Sequence, residues 1–424
     1  MPTLSCQRVP ATPGILTRWQ LFFYTGSVYI LKFHFCRSHC GCQIVRAAPA
    51  SLFLILLAAA SFSFSSNAAA QSRSAPSSFE LLSKQAAEAR NADRLDESVR
   101  LYKQALALRP KWAEGWWSLG TLEYDRNNYV LAARAFRQLL PLAPKDGTAR
   151  VMLGLCEFEL GQDQAALKYI QEGRALGMAN NAQLHQVALY HEGLLLWRAA
   201  NFKLAQSTFG SLCKEKVENT QVLNGMGLAV LRVSPKAAPP EGSPCAEVVQ
   251  RAGHAACLTA QKKFDEARQE YTDLLEEFPD YPNLNYAFGL SYVDANNVPA
   301  AVEQFKQEIT RDPQNVEARL EIAAVLYKVD SNAALAYAEE AVKLNPRLPF
   351  AHYLLGLLYL DTDYYLKAIP ELEIAQKAFP KEAKVYFALG SAYSRAGRTQ
   401  DAERARAAFT RLSAQAADGA KPSY

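Results

Sequence analysis

A chain of 424 residues with 46 Lys and Arg against 42 Asp and Glu is long enough for two or three ordinary domains. The positive excess sits in the first seventy residues, which hold Arg8, Arg18, Lys32, Arg37 and Arg46 and no acidic side chain, so the rest is close to neutral. That balance excludes the broad basic surface of a nucleic-acid-binding protein.

Residues 1–44 read as an overlong N-terminal extension, with the true start at Val45. Residues 45–70 read as a secretory signal peptide. Arg46 precedes the apolar run SLFLILLAAA at 51–60, and Ala68 and Ala70 supply an A-x-A site cut after Ala70. The alternative is an uncleaved inner-membrane anchor, for which the run is short. Export from a bacterium to the periplasm or medium is therefore expected, with membrane contact only through the signal peptide. Cys36-Arg-Ser-His-Cys-Gly-Cys42, near His34, looks superficially like a metal cluster, but zinc sites usually separate two ligand pairs by a longer loop. No metal is expected there. Residues 71–78 read as a flexible polar linker.

From residue 79 the pattern changes. In 113–146, Trp116, Leu119 and Gly120 lie on one face of a helix, at i, i+3 and i+4. Asp125 to Asn128 form a turn, Ala132 and Phe136 share a face of a second helix, and Pro144 ends it. The spacing resembles the tetratricopeptide repeat, W-x2-L-G-x2-Y…A-x3-F…P. One place departs from it: Glu123 stands where the tyrosine belongs, and Tyr124 follows.

The same places recur in 79–112, 147–180, a divergent 186–219, 248–281, 282–315, 316–348, 349–382 and 383–416. The resemblance therefore covers 79–416 in about nine repeats. Between 219 and 248 the array is irregular: residues 221–232 read as an orphan helix, and a proline-rich insertion occupies 233–247. Residues 417–424 read as a disordered tail. The fold expected is an all-α, right-handed superhelical solenoid of helix pairs.

The resemblance implies that first helices line a concave face, at the second, fifth, ninth, twelfth and thirteenth places of each repeat. Carried onto this chain, those places include Trp117, Tyr124, Phe158, Tyr190, Leu194, Trp197, Tyr286, Tyr327, Tyr353 and Phe387. The set is aromatic and aliphatic, without the Lys, Arg and Asn by which some members hold a carboxylate terminus. It suits an extended peptide or an amphipathic helix of a partner protein.

Cys213, Cys245 and Cys257 flank the irregular segment. After export, a bridge from Cys245 to Cys213 or Cys257 would staple its loop. No phosphate loop, nucleophile elbow or H-E-x-x-H is present, and His185 and His191 do not share a helix face. No cofactor and no enzymatic activity are expected. The chain reads as a protein-binding scaffold; the alternative is a self-associating component of an envelope assembly, of the outer-membrane or pilus-biogenesis type.

Overall fold

The computed structural model describes residues 77–178 and 181–419. The expected extension, signal peptide, Cys36–Cys42 cluster and most of the linker lie outside them. The described residues fold into nineteen α-helices, and none is long and apolar enough to cross a membrane. The chain divides into two compact units, 77–144 and 145–419.

The first unit holds α1 (Ser78–Asn91), α2 (Leu95–Leu108), α3 (Ala113–Asp125) and α4 (Tyr129–Leu139). Ser77 and Glu80 form a reciprocal capping box that starts α1, so the helix begins inside the expected linker. The second unit opens with α5 (Gly147–Glu159) and α6 (Asp163–Leu176), then α7 (Ala182–Arg198) and α8 (Phe202–Lys214). The α7 helix starts four residues before the expected 186, because the Asn181 side chain accepts from the Leu184 amide. After α9 (Thr220–Val230) come α10 (Pro244–Ala260) and α11 (Phe264–Glu277). The unit closes with α12 (Leu284–Asp294), α13 (Val298–Arg311), α14 (Val316–Leu326), α15 (Ser331–Leu344), α16 (Pro349–Asp361), α17 (Tyr365–Ala378), α18 (Ala383–Arg395) and α19 (Thr399–Gly419). Helix α19 runs past 416, so the expected tail begins as helix.

Five of the pairs close on the same contact. A glycine on the first helix faces a large apolar side chain sixteen residues later on the second: Gly120 and Phe136, Gly154 and Ile170, Gly193 and Phe209, Gly289 and Phe305, Gly356 and Leu372. A β-carbon on Gly120 would lie 2.8 Å from the Phe136 ring, and one on Gly289 2.5 Å from Phe305. Beside each large side chain a fully buried alanine (Ala132, Ala166, Ala205, Ala301 or Ala368) keeps the helix axes close.

Neighbouring pairs are then tied by hydrogen bonds at repeated places. The Trp116 indole donates to the Pro110 carbonyl at 2.8 Å and the Tyr386 hydroxyl to Pro380 at 3.0 Å. His352 Nε2 lies 2.9 Å from the Pro346 carbonyl. The tryptophan place of one repeat thus satisfies the proline carbonyl that ended the last one. A second tie joins residues twenty apart: Tyr359 donates to Glu339 at 2.8 Å and Tyr393 to Glu373 at 2.7 Å. In the first unit Lys103 donates to Glu123 at 2.9 Å. Glu123 in the tyrosine place therefore keeps the tie with its polarity reversed.

The α9 helix is not an orphan. Its Gly225, like Gly193 of α7, gives way to the Phe209 ring. Any β-carbon on Gly227 would overlap the Val249 carbonyl of α10, and one on Gly253 the Leu223 carbonyl of α9. The two helices therefore meet backbone to backbone, and α10 packs on both α9 and α11. The proline segment between them is a short connection with one 3-10 turn, Pro235–Ala237. It ends at Ser243, which caps α10 ahead of Pro244, so the insertion is shorter than 233–247. A disulfide joins Cys213 of α8 to Cys257 of α10, with Cα atoms 5.2 Å apart and 44 residues of separation. Neither cysteine is bridged to Cys245, which lies at the start of α10. Cys156 is buried in α5.

The last pair relaxes the rule. Sixteen residues after Gly390 stands Arg406, and a β-carbon on Gly390 would sit 3.4 Å from its flexible stem. Gly289→Ala should therefore cost about 1–3 kcal/mol through overpacking against Phe305. Gly390→Ala should be neutral, or stabilise by up to about 1 kcal/mol through helix propensity. Urea unfolding of the two variants, side by side, checks the difference in sign.

Candidate protein-binding face

In the first unit the first-helix face carries Trp117 and Tyr124, both half-buried. Trp117 meets the Phe136 ring edge-on at 5.7 Å, and Tyr124 meets Tyr129 at 5.4 Å. Asp125 follows at the end of α3. Burial raises its carboxyl from 3.8 to about 6, against the lowering effect of Arg90. A carboxylate at a helix C-terminus is also opposed by the helix dipole.

In the second unit, Phe158 and Tyr190 meet on either side of His191, and Trp197 ties down the chain further along. Phe158 packs edge-on to His191 at 4.7 Å, and the Arg198 guanidinium lies 4.5 Å over its ring. Arg198 is fixed in turn by Asp163 at 2.9 Å. Burial lowers His191 to about 4, and Arg198 opposes its charging further, while its Nδ1 lies 2.7 Å from the Val187 carbonyl. It is a neutral packing residue. Tyr190 lies edge-on to His191 and Phe209, and burial pushes its hydroxyl up to about 12. The Trp197 indole donates to the Val233 carbonyl at 2.7 Å and so anchors the start of the proline segment. Leu194 is buried inside the pair.

At α12 and α14 the face is crossed by charge. Arg232 lies over the rings of Phe202 and Tyr286 and pairs with Glu317 at 3.1 Å. Lys203 reaches Glu321 at 3.6 Å. These links join the start of α8 and the end of α9 to α14. Beneath them Tyr286 is only 3% exposed and its hydroxyl donates to Glu321 at 3.5 Å. Burial, then Glu321, raises that hydroxyl far above the ordinary tyrosine range. Leu194 and Tyr286 are therefore packing residues rather than contact residues, because the neighbouring helices cover them.

The aromatic places open again over α14, α16 and α18. Tyr327 is half-buried with the Lys328 ammonium 4.2 Å from its ring centre. Burial, then Asp361, pushes its hydroxyl up to about 12. Tyr353 is half-buried; burial, then Glu382 and Tyr327, raises its hydroxyl. Phe387 is 61% exposed and leans on Phe409 at 5.5 Å. Phe350, at the second place of its repeat and 45% exposed, joins them. Phe350 is legible in the sequence, since the second place of a repeat belongs to the face-forming set. Arg232 and Lys203 are not, because their partners lie far along the chain. Among the described residues no group of His, Cys, Asp and Glu is placed to hold a metal ion.

With this geometry in place, comparison with known proteins is direct. The chain matches the family model described as tetratricopeptide repeat at residues 83–147, 119–181, 286–331 and 353–420, together half of its length. It is 23% identical over 315 residues to Superkiller protein 3 of Schizosaccharomyces pombe, covering 72% of this chain and 20% of that protein. It is 28% identical over 114 residues to protein O-mannosyl-transferase TMTC3 of Homo sapiens, covering 27% of this chain and 12% of that protein. The chain thus spans a fifth or less of the length of these curated relatives. Among solved structures, a crystal structure of MamA superposes with a TM-score of 0.37 at 24% identity, over 39% of this chain and 96% of that one. MamA from Desulfovibrio magneticus RS-1 gives 0.35 at 23% identity, over 40% and 98%.

The raised Asp125 carboxyl makes a signed prediction. Its folded-state value lies above the unfolded one, so its cost to stability is absent well below 3.8, grows between 3.8 and about 6, and is fully present above that. Asp125→Asn should stabilise the fold at pH 7 by on the order of 1–2 kcal/mol and leave it nearly unchanged at pH 3. Denaturant unfolding at the two pH values measures this.

Proposed function

Because the chain belongs to the tetratricopeptide repeat family, whose fold is that of a protein-interaction scaffold, we propose that it is an exported bacterial adaptor that holds a peptide or amphipathic helix of a partner protein. The observation that carries this is the open aromatic stretch of Phe350, Tyr353 and Phe387 over α16 and α18, with Phe387 61% exposed. Large rings left open at repeated first-helix places suit anchoring side chains of a partner. Earlier in the second unit the aromatics are engaged by His191, Val233 and Arg232, so within this unit the docking residues are the C-terminal ones. The repeats take up the described chain from 77 to 419, and the proposed adaptor has no catalytic role.

Export is supported by two independent features. One is Arg46 with the apolar run at 51–60 and the small residues Ala68 and Ala70. The other is the Cys213–Cys257 bridge, because structural disulfides persist in oxidising compartments.

Two measurements test these halves separately. A photo-crosslinking residue at position 387 or 353, in the native host, should trap a discrete partner, whereas one at the exposed Glu403 of α19 should not. Phe387→Ala with Tyr353→Ala should weaken binding of that partner at least about tenfold. Trapping from all three positions alike, or unchanged binding by the double variant, would remove this face as the docking site. N-terminal sequencing of the mature protein should read from Gln71 in the periplasmic or secreted fraction; an uncut N-terminus in the cytoplasm sinks the export half alone.

A further inference from the structure

A different surface lies on the first unit. Residues of α2, α3 and α4 line two clefts of about 450 and 400 Å³ that meet at Lys103. The floor is apolar, with Val99, Leu119 and Ala135 buried, and Leu131 is 38% exposed beside it. The rim is cationic. Lys103 and Arg126 converge on Glu123, whose second oxygen also accepts from Asn128 at 2.9 Å, and Arg126 reaches Asp96 as well. The acidic groups of the trough are therefore already engaged. Arg100 and Arg134, both exposed, meet no acidic partner among the described residues.

We propose that this trough docks an acidic, amphipathic segment of another protein, with an apolar side chain over Leu131 and carboxylates on Arg100 and Arg134. Guanidinium groups suit carboxylates because two parallel N–H donors match the two oxygens. An exposed ion pair is weak alone, so the apolar floor and the paired arginines act together. The charge also rules out one occupant within the chain: its first seventy residues hold no Asp or Glu. The site is independent of the aromatic face over α16 and α18.

The test uses the full mature chain and two fluorescein-labelled synthetic helices, one of Glu, Ala and Leu and one with Lys in place of Glu. Anisotropy should show the acidic helix binding, its affinity falling as salt rises, and the lysine helix failing to bind. Arg100→Glu with Arg134→Glu should weaken the acidic helix at least about tenfold; both positions are exposed, so the fold is retained. Leu131→Asp should weaken it as well. Unchanged binding by the arginine variant, or equal binding of both helices, overturns the proposal. So does displacement of the helix by phosphatidylglycerol vesicles in the Leu131→Asp variant as readily as in the parent chain, which would mark a simple anion surface. A mass that grows with protein concentration and reverts in the arginine variant would give the trough to a second copy and overturn it equally.

Discussion

Five of the helix pairs in this chain depend on the absence of one β-carbon, while Ala86, Ala255 and Ile322 stand at that place in α1, α10 and α14. Where Gly120, Gly193 and Gly289 face the rings of Phe136, Phe209 and Phe305, the ring occupies the space a side chain would have taken. The rings are fully buried, so the favourable burial of a large apolar group and the close approach of the helices are the same event. In Gly154 and Gly356 the partner is Ile170 or Leu372, which shows that the requirement is for volume at that place and not for aromatic character. The terminal pair, with Arg406 in the same place, meets solvent and needs no such fit.

Stacking of one pair on the next buries continuous apolar clusters, to which directional bonds are added at repeated places. Trp116, His352 and Tyr386 have different side chains but all address the proline carbonyl six residues earlier. What repeats is a polar atom on an aromatic side chain at the right reach, beside a carbonyl left over where a helix has ended. The tie between Glu123 and Lys103 works the same way, since a charge pair replaces the tyrosine–glutamate bond of the C-terminal repeats. Such ties set the register between pairs, while the glycine contacts set the spacing within them.

The segment from α8 to α10 departs from this plan and compensates for it. A second helix is missing after α9, and α10 serves in its place through glycine contacts on both sides. The Cys213–Cys257 bridge encloses α9 and the proline connection; cross-linking a loop of this length removes unfolded-state entropy worth about 4 kcal/mol in the chain-entropy account. Trp197 is used to hold the beginning of that connection, and Arg232 at its edge reaches α14. The first-helix face is thereby closed in the middle of the second unit and open over α16 and α18.

The repeat period, the helix pairs, the turns and the small residues at Gly120, Ala132 and their equivalents are legible from residue order alone, because they are set by spacing within some 34 residues. The start of α7 at Ala182 was missed because its cap, Asn181, lies outside the repeat pattern. The pairing of α9 with α10 was missed because a run of prolines argues against a helix but says nothing of which helix comes next. Among the aromatic places, order alone could not separate Phe387, open to solvent, from Tyr286, which lies beneath Arg232 and beside Glu321. Both occupy the fifth place of a repeat. Their burial is decided by residues from other repeats, so residue order is enough to specify the repeating unit, whereas packing between distant repeats selects the faces that stay uncovered.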